Sequence, residues 1–225
     1  MAQGNDMTDM KLYHLPGACS RVTLTALEQC GADYTDEIVL LMRGAQHSPQ
    51  YRAINPKGKI PCLIVDGQAL AENAAILSFL NMEYPAAALF PQPGDALEAA
   101  RQTADLFALS ASFHPSVRAM MMPVRWTTGN PEEVREKGRQ LVHPLLQQLE
   151  TRLATQPWWY GGEWSIIDSY AHWNYTTAQK GQFDLSPYPN IAQHQKRVEA
   201  HPAYQRALAR EQAAVDAIGG LPDVA

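Results

Sequence analysis

The dipeptide Asp66-Gly67 constrains the fold more than any other feature of the chain. It stands between two short apolar runs, Pro61 to Val65 and Gln68 to Leu70. Asp-Gly is the pair demanded by a two-residue hairpin turn, because both central residues need positive φ. The runs on either side therefore read as antiparallel strands. Upstream, Lys11 to Leu15 reads as a strand stopped by Pro16-Gly17, and Thr35 to Leu40 as a second strand. Between them Cys19 to Cys30 reads as a helix. Val22, Leu24, Ala26 and Leu27 supply its buried side, and Gly31 is placed to end it. Downstream, Glu72 to Tyr84 is helical, with Ile76, Leu77 and Leu80 on one face and Pro85 as the stop. A crossover helix permits two parallel strands, and a hairpin adds antiparallel ones. The order β-α-β, then β-β-α, predicts one small mixed sheet with helices on it.

Pro85, Pro91, Pro93 and Gly94 then mark a connector. Beyond it every patterned segment is helical. Ala96 to Met122 is a long helical pattern interrupted by Pro115. Asn130-Pro131 supplies a cap and a first-turn proline, with Glu132 and Glu133 in the favourable first turn of a helix toward Gln156 that Pro144 bends. Ile166–Lys180, Asn190–His201 and Ala203–Ala217 follow. The expected domains are 10–85, mixed α/β, and 95–217, all-helical, joined by a linker at 86–94.

Composition narrows the partners. The hydrophobic fraction of 46% over 225 residues supports a real core and excludes a disordered or fibrous chain. A net charge of −5 with no basic block argues against nucleic acid as a partner, since phosphate neutralisation needs clustered cations. Three cysteines are too few for a disulfide-stapled fold, and the odd count leaves at least one thiol unpaired. Met1 to Asp9 is polar, unlike a signal peptide, and no window approaches the ~20 apolar residues that span a bilayer. The expectation is a soluble protein of a reducing cytoplasm with no membrane partner.

Three segments carry chemistry. Cys19, in Pro16-Gly17-Ala18-Cys19-Ser20, sits where a strand turns into a helix. Unsatisfied N–H groups make the potential there positive, which depresses a thiol pKa. Ser20 offers a hydroxyl at the same place. Both residues suit a ligand's sulfur anion; equally, Ser20 serves as a cap and Cys19 as a small buried side chain. In Asn55-Pro56-Lys57-Gly58-Lys59-Ile60-Pro61 the last proline opens a strand. With a cis bond before Pro61, the Ile60 N–H and C=O would face an extended, peptide-like ligand; otherwise the segment is an ordinary turn. Glu72-Asn73 opens a helix, where N–H groups hold a carboxylate and Glu72 holds an ammonium, or where the pair simply caps. The combined ligand has a thiol, a peptide backbone and an amino-acid end, which is a description of glutathione.

At this point the chain resembles the cytosolic glutathione transferases. Asn55 to Pro61 is similar to the family's NPxGxVP loop, and Glu72-Asn73 falls where the family has a Glu-Ser pair. Met10-Lys11-Leu12-Tyr13 with Pro16 to Ser20 resembles the start of the bacterial beta class, and Gly161 to Tyr170 resembles the GDxFSxADxY segment. In that segment Ser165 and Asp168 form an N-capping box, a folding motif. The resemblance runs from Met10 to about Gln212 and implies an α/β thioredoxin-like N-terminal domain plus an all-α C-terminal domain. It implies a homodimeric, cytoplasmic detoxification enzyme with glutathione as co-substrate and no metal.

Residue roles follow from the matched motifs. Cys19, Ser20 and His114 are the implied catalytic candidates; Cys19 contacts the glutathione sulfur and forms a mixed disulfide with it in the beta class. Arg43, Lys59, Ile60, Pro61, Glu72 and Asn73 are the implied glutathione-binding residues. Ile60 takes the cysteinyl backbone, Glu72 and Asn73 the γ-glutamyl end, and Arg43 a place near the glycine carboxylate. His114, beside Pro115, faces the active site in the beta pattern or is only a polar residue at a kink. Leu15, Phe113, Met120 and Trp126 are candidates for lining the pocket. The chain departs from the family pattern at His14 for a strand tyrosine, at Asn73 for serine, and at Thr177 for a tryptophan. Cys30 and Cys62 read as small buried residues, Met120-Met121-Met122 as gap fillers, and Trp158-Trp159-Tyr160 as packing under the last helices. No histidine pair is spaced as a zinc site. Two functions are expected from these residues: a glutathione transferase or thiol–disulfide reductase acting on an electrophile or disulfide, and, alternatively, a non-catalytic interaction protein of the same fold.

Overall fold

A computed structural model of the chain describes residues 9–221; the polar segment read as lacking a signal peptide lies almost wholly outside them. The described residues form two compact units. One runs to Ala87 and resumes at Pro202; the other is Ala88–His201.

The first unit is built on four strands, β1 (Met10–His14), β2 (Thr35–Ile38), β3 (Cys62–Val65) and β4 (Gln68–Ala71), in the order β2-β1-β3-β4. β1 runs parallel to β2 and antiparallel to β3, and β3 pairs antiparallel with β4. The hairpin register sets Val65 opposite Gln68, with Asp66 and Gly67 at φ 48° and 77°. The expected mixed sheet is therefore present, with the positive-φ turn that Asp-Gly permits.

Helix α1 (Ser20–Cys30) crosses from β1 to β2 and ends at Gly31, which is left-handed at φ 60°. Helix α2 (Pro49–Ile54) has no counterpart in the sequence reading. It is six residues long with little apolar periodicity, although Ser48-Pro49 carries the cap-and-proline signature and Ser48 Oγ accepts from Tyr51 N–H at 3.1 Å. Helix α3 (Asn73–Glu83) follows the hairpin. Strand alternation divides the core. Tyr13, Val39, Tyr51 and Cys62 cluster with Ile60 and Ile54. Residues Leu12 and His14 alternate to the opposite face, and α1 packs against α3 with Leu24, Leu27, Ile76, Leu77 and Leu80 fully buried.

The last helix, α9 (Pro202–Ala217), packs on α1 and β2 in this unit, whereas the sequence reading grouped it with the helical domain. Three ion pairs hold it, one of them between Arg206 and Glu28 of α1 at 3.4 Å. Arg21 of α1 meets Glu211, and Arg210 meets Asp36 of β2 at 2.5 Å. Asp36 also meets His14 Nε2 at 3.0 Å. Burial works against ionisation of Asp36, but His14 and Arg210 outweigh it and hold the carboxyl below its ordinary range.

The second unit is helical: α4 (Ala96–Phe107), α5 (His114–Met121), α6 (Pro131–Leu153), α7 (Ile166–Lys180) and α8 (Pro189–Glu199). A π-helical stretch at Ala108–Phe113 joins α4 to α5, so the regular bonding pattern is already interrupted just before Pro115, which has no N–H to donate. Gly138 lets α5 and α6 approach closely: a Cβ there would stand 2.5 Å from Met120 Cγ and 3.1 Å from the Ser116 carbonyl. Ser165 opens α7 with both halves of the expected capping box in place. Among the described residues, no helix is long and apolar enough to cross a membrane.

Candidate functional site

The turn after β1 is pinned from inside. Ser20 Oγ donates to the Leu15 carbonyl at 3.1 Å and accepts from the Leu15 N–H at 3.2 Å, and the residue is fully buried. In this arrangement the Ser20 hydroxyl clamps the turn, the structural alternative to a meeting with a ligand sulfur. Cys19 is the N-cap residue of α1, half-buried, and Ser20 is the first residue within the helix. The Cys19 thiol lies 3.7 Å from the Ile60 carbonyl oxygen. The start of α1 and the Ile60–Pro61 loop thus meet at the thiol.

That loop is held by α2. Tyr51 Oη donates to the Lys59 carbonyl at 2.7 Å, and Asn55 Nδ2 donates to the same oxygen at 2.8 Å. Gly58 is left-handed at φ 59°, and a Cβ there would stand 2.9 Å from the Gln46 carbonyl, so glycine is required. The Ile60–Pro61 bond is cis. The Lys59 side chain is exposed.

Glu72 precedes α3 at φ 80°, ψ 122°, a conformation few non-glycine residues adopt. Its exposed carboxylate receives Lys57 Nζ at 3.0 Å. Asn73 turns inward instead of toward a ligand. Its Oδ1 accepts from Thr23 Oγ1 at 2.6 Å and its Nδ2 donates to the Cys19 carbonyl at 3.1 Å. The Asn73 amide thereby ties α3 to the cysteine turn. The N–H groups of the first turn of α3 keep the capacity to hold a carboxylate.

Arg43 is exposed at the end of a short 3-10 turn, residues 41–43, and is not among the contacts that gather the Cys19 turn. His114 belongs to the helical unit. Its Nδ1 lies 3.1 Å from Tyr170 Oη and its ring 4.4 Å from that of Trp173. In the same unit Phe113 and Met120 are buried and Trp126 is exposed, while Leu15 is buried in the sheet unit. Thr177 is buried in α7. Trp159 Nε1 donates to Asp105 at 3.0 Å and the Trp158 ring stands edge-on to His194, so this aromatic run packs.

None of the three cysteines forms a disulfide. Burial pushes the Cys30 thiol up to about 12 and the Cys62 thiol up to about 11. Both are therefore held toward the protonated form near neutrality, and Cys19 is the thiol at a helix start. Among the described residues no group of three or more His, Cys, Asp or Glu side chains is gathered to hold a metal ion.

A four-stranded mixed sheet with a cysteine at the first helix start and a cis-proline beside it defines a thioredoxin-like domain, here joined to a helical unit. The sequence pattern of the glutathione S-transferase N-terminal domain matches residues 17–83, and that of the C-terminal domain matches residues 113–202. A maleylacetoacetate isomerase of Pseudomonas aeruginosa is 31% identical over 203 residues, 88% of this chain and 95% of that protein. The crystal structure of a glutathione transferase from Methylococcus capsulatus superposes with a TM-score of 0.78 at 31% identity, covering 91% of this chain and 99% of the other. A bacterial beta-class glutathione S-transferase of Sphingomonas chungbukensis superposes with a TM-score of 0.77 at 30% identity, covering 89% and 98%. The chain belongs to the glutathione S-transferase family and is of the bacterial beta-like type.

Proposed function

We propose that the chain activates the glutathione thiol at the start of α1, for attack on an electrophilic carbon or for exchange with a disulfide. The observation that carries this reading is the meeting of the Cys19 thiol with the Ile60 carbonyl at 3.7 Å, at the N-terminus of α1. A thiolate arriving there gains the positive end of the helix, and a peptide backbone gains the Ile60 edge. In this reading Ile60 and Pro61 bind the cysteinyl part of glutathione. Glu72 exchanges Lys57 for the γ-glutamyl ammonium, and the first N–H groups of α3 take the α-carboxylate. Arg43 and Lys59 serve the glycine end, and His114 faces the electrophile. Residues 10–85, with α9 packed on them, form the glutathione-binding domain, and the helices between residues 95 and 201 form the electrophile-binding one, in a cytoplasmic homodimer.

A second reading is favoured by the 31% identity to a maleylacetoacetate isomerase. A thiolate that adds to a conjugated cis double bond permits rotation and then leaves, so glutathione is regenerated. The two chemistries separate in one experiment. The purified protein is given reduced glutathione with a halo-aromatic, an aryl ether, a disulfide, a peroxide or a conjugated cis-diacid, and both substrate and thiol are followed. Transfer or reduction consumes glutathione in proportion to substrate; isomerisation converts the diacid with the thiol conserved. No turnover with any of them, together with no retention on immobilised glutathione, overturns the enzyme reading in favour of the interaction protein.

The grip on the γ-glutamyl end has its own test. Glu72→Ala is expected to weaken glutathione binding at least tenfold, ~1.4 kcal/mol. Titration calorimetry showing unchanged affinity would remove Glu72 from the site.

A further inference from the structure

The turn that carries Cys19 is supported from the far end of the chain. Glu211 on α9 is 4% exposed. Its Oε1 accepts the Gly17 N–H at 3.1 Å, across 194 residues of sequence. Arg21, in the first turn of α1, forks onto the same carboxylate: Nε lies 3.2 Å from Oε1 and 3.0 Å from Oε2, and Nη2 lies 2.6 Å from Oε2. Gly17 precedes Cys19 by two residues and Arg21 follows it by two. One buried carboxylate therefore holds the turn on both sides of the thiol.

The chemistry of this grip is specific. A planar guanidinium meeting a carboxylate through two nitrogens fixes the carboxylate plane. With that plane fixed, the bond to Gly17 N–H fixes a left-handed residue, φ 74°, that would otherwise have wide freedom. Ser20 fixes the other end of the turn through Leu15. The N–H groups of α1 act on a thiolate only if the turn presents it to them.

We infer that Glu211 is a positioning residue of this enzyme: through Gly17 and Arg21 it sets the turn that presents Cys19, and any thiolate beside it, to the start of α1. The inference rests on Cys19 marking the glutathione sulfur site. α9 is then part of the catalytic apparatus of the sheet unit, although it makes no contact with the reacting atoms.

A second clamp on the same helix supplies the control. Arg210 holds α9 to β2 through Asp36 Oδ1 at 2.5 Å and the Tyr34 carbonyl at 2.9 Å, contacts that include none of residues 16–21. Removing either clamp loosens α9; only one of them touches the turn.

The experiment follows the rate of Cys19 alkylation by iodoacetamide across pH, read by peptide mass. The thiolate sulfur bonds to carbon and iodide leaves. Glu211→Ala is expected to slow Cys19 at neutral pH at least about tenfold, as misplacement of a reacting group does, and to move the pH midpoint up. Glu211→Gln keeps an acceptor for Gly17, and its midpoint does not rise. Arg210→Ala loses stability but keeps rate and midpoint within about twofold. A purely electrostatic role would move both Glu211 variants down, because Arg21 is left as an uncompensated cation. That outcome, or Glu211→Ala matching Arg210→Ala, overturns the inference. Should Glu211→Ala fail to fold, Arg21→Lys carries the test, since it keeps the charge and loses the fork. A slowed Cys19 supports the inference and an unchanged one overturns it. Failure of the underlying reading shows separately, as a wild-type Cys19 no more reactive than Cys30 or Cys62.

Discussion

Asp168→Ala is expected to cost the chain about 3–5 kcal/mol, the range seen when one partner of a buried, hydrogen-bonded charge network is removed. The Asp168 carboxylate has no exposed surface. One oxygen accepts from the Ser165 N–H at 2.8 Å and the Ser165 hydroxyl at 2.9 Å. The other accepts from the Trp159 N–H at 2.7 Å and meets His194 Nε2 at 2.9 Å. Alanine would leave two backbone N–H groups and a ring nitrogen without acceptors in a dry interior, each at about 1–3 kcal/mol before relaxation. It would also break the box that starts α7, the most buried helix of its unit. Urea denaturation followed by circular dichroism should show a midpoint lower by about 1–2 M, given a slope of about 2–3 kcal/mol per M for a chain of this size. Asp168→Asn should fall between. Its amide oxygen serves one side, while its NH₂ faces donors on the other. A loss below about 1 kcal/mol in the alanine variant would show that the four contacts are replaceable.

The local half of this network was legible in the sequence and the distant half was not. Ser165 and Asp168 stand three apart before an apolar run, a spacing with a mechanical meaning. His194 lies 26 residues away on another helix, and nothing near it announces that its ring meets Asp168 while Tyr175 Oη meets its Nδ1 at 3.1 Å. The same division runs through the sheet unit. Asp66-Gly67 and Gly31 were readable because each meets a backbone demand set by its own φ. They made a mixed sheet legible, whereas the order β2-β1-β3-β4 rests on pairings between distant strands. Helix α2 was missed because six residues with one buried side chain, Tyr51, leave no periodic signature.

At the site, the motifs named Cys19, Ile60 and Asn73, which stand near one another, but not where their side chains point. Ser20 and Asn73 are polar residues at helix starts, and polarity there suits a ligand as well as an internal bond. The structure commits the first to Leu15 and the second to Thr23 and the Cys19 carbonyl. Those bonds depend on three-dimensional neighbours that no spacing rule encodes. Glu211 and Arg21 illustrate the same point from the other side. Each is an ordinary charged residue on an amphipathic helix, and only the packing of α9 on α1 makes them one unit.

Cys19→Ala is expected to abolish the formation of a mixed disulfide with glutathione. With oxidised glutathione, a Cys19 thiolate attacks one sulfur. A new S–S bond forms, the old one breaks, and one glutathione leaves as its thiolate. The rival thiols are removed by physics rather than by assumption. Burial pushes the Cys30 and Cys62 thiols up to about 12 and about 11, which disfavours their thiolates at pH 7. Cys62 is in addition fully buried between β1 and β4. Cys19 is half-buried at the N-terminus of an eleven-residue helix, so it has both access and a favourable potential. Intact mass should therefore show one glutathionyl adduct on the wild-type chain and none on Cys19→Ala, with Cys30→Ala and Cys62→Ala behaving as the wild type. Reduced glutathione should reverse the adduct by the same exchange in the opposite direction. An adduct that persists in Cys19→Ala would place the reactive thiol elsewhere. Loss of the adduct with retention of transfer to a carbon electrophile would divide the two chemistries: Cys19 would serve disulfide exchange, and the start of α1 alone would suffice to hold the glutathione thiolate.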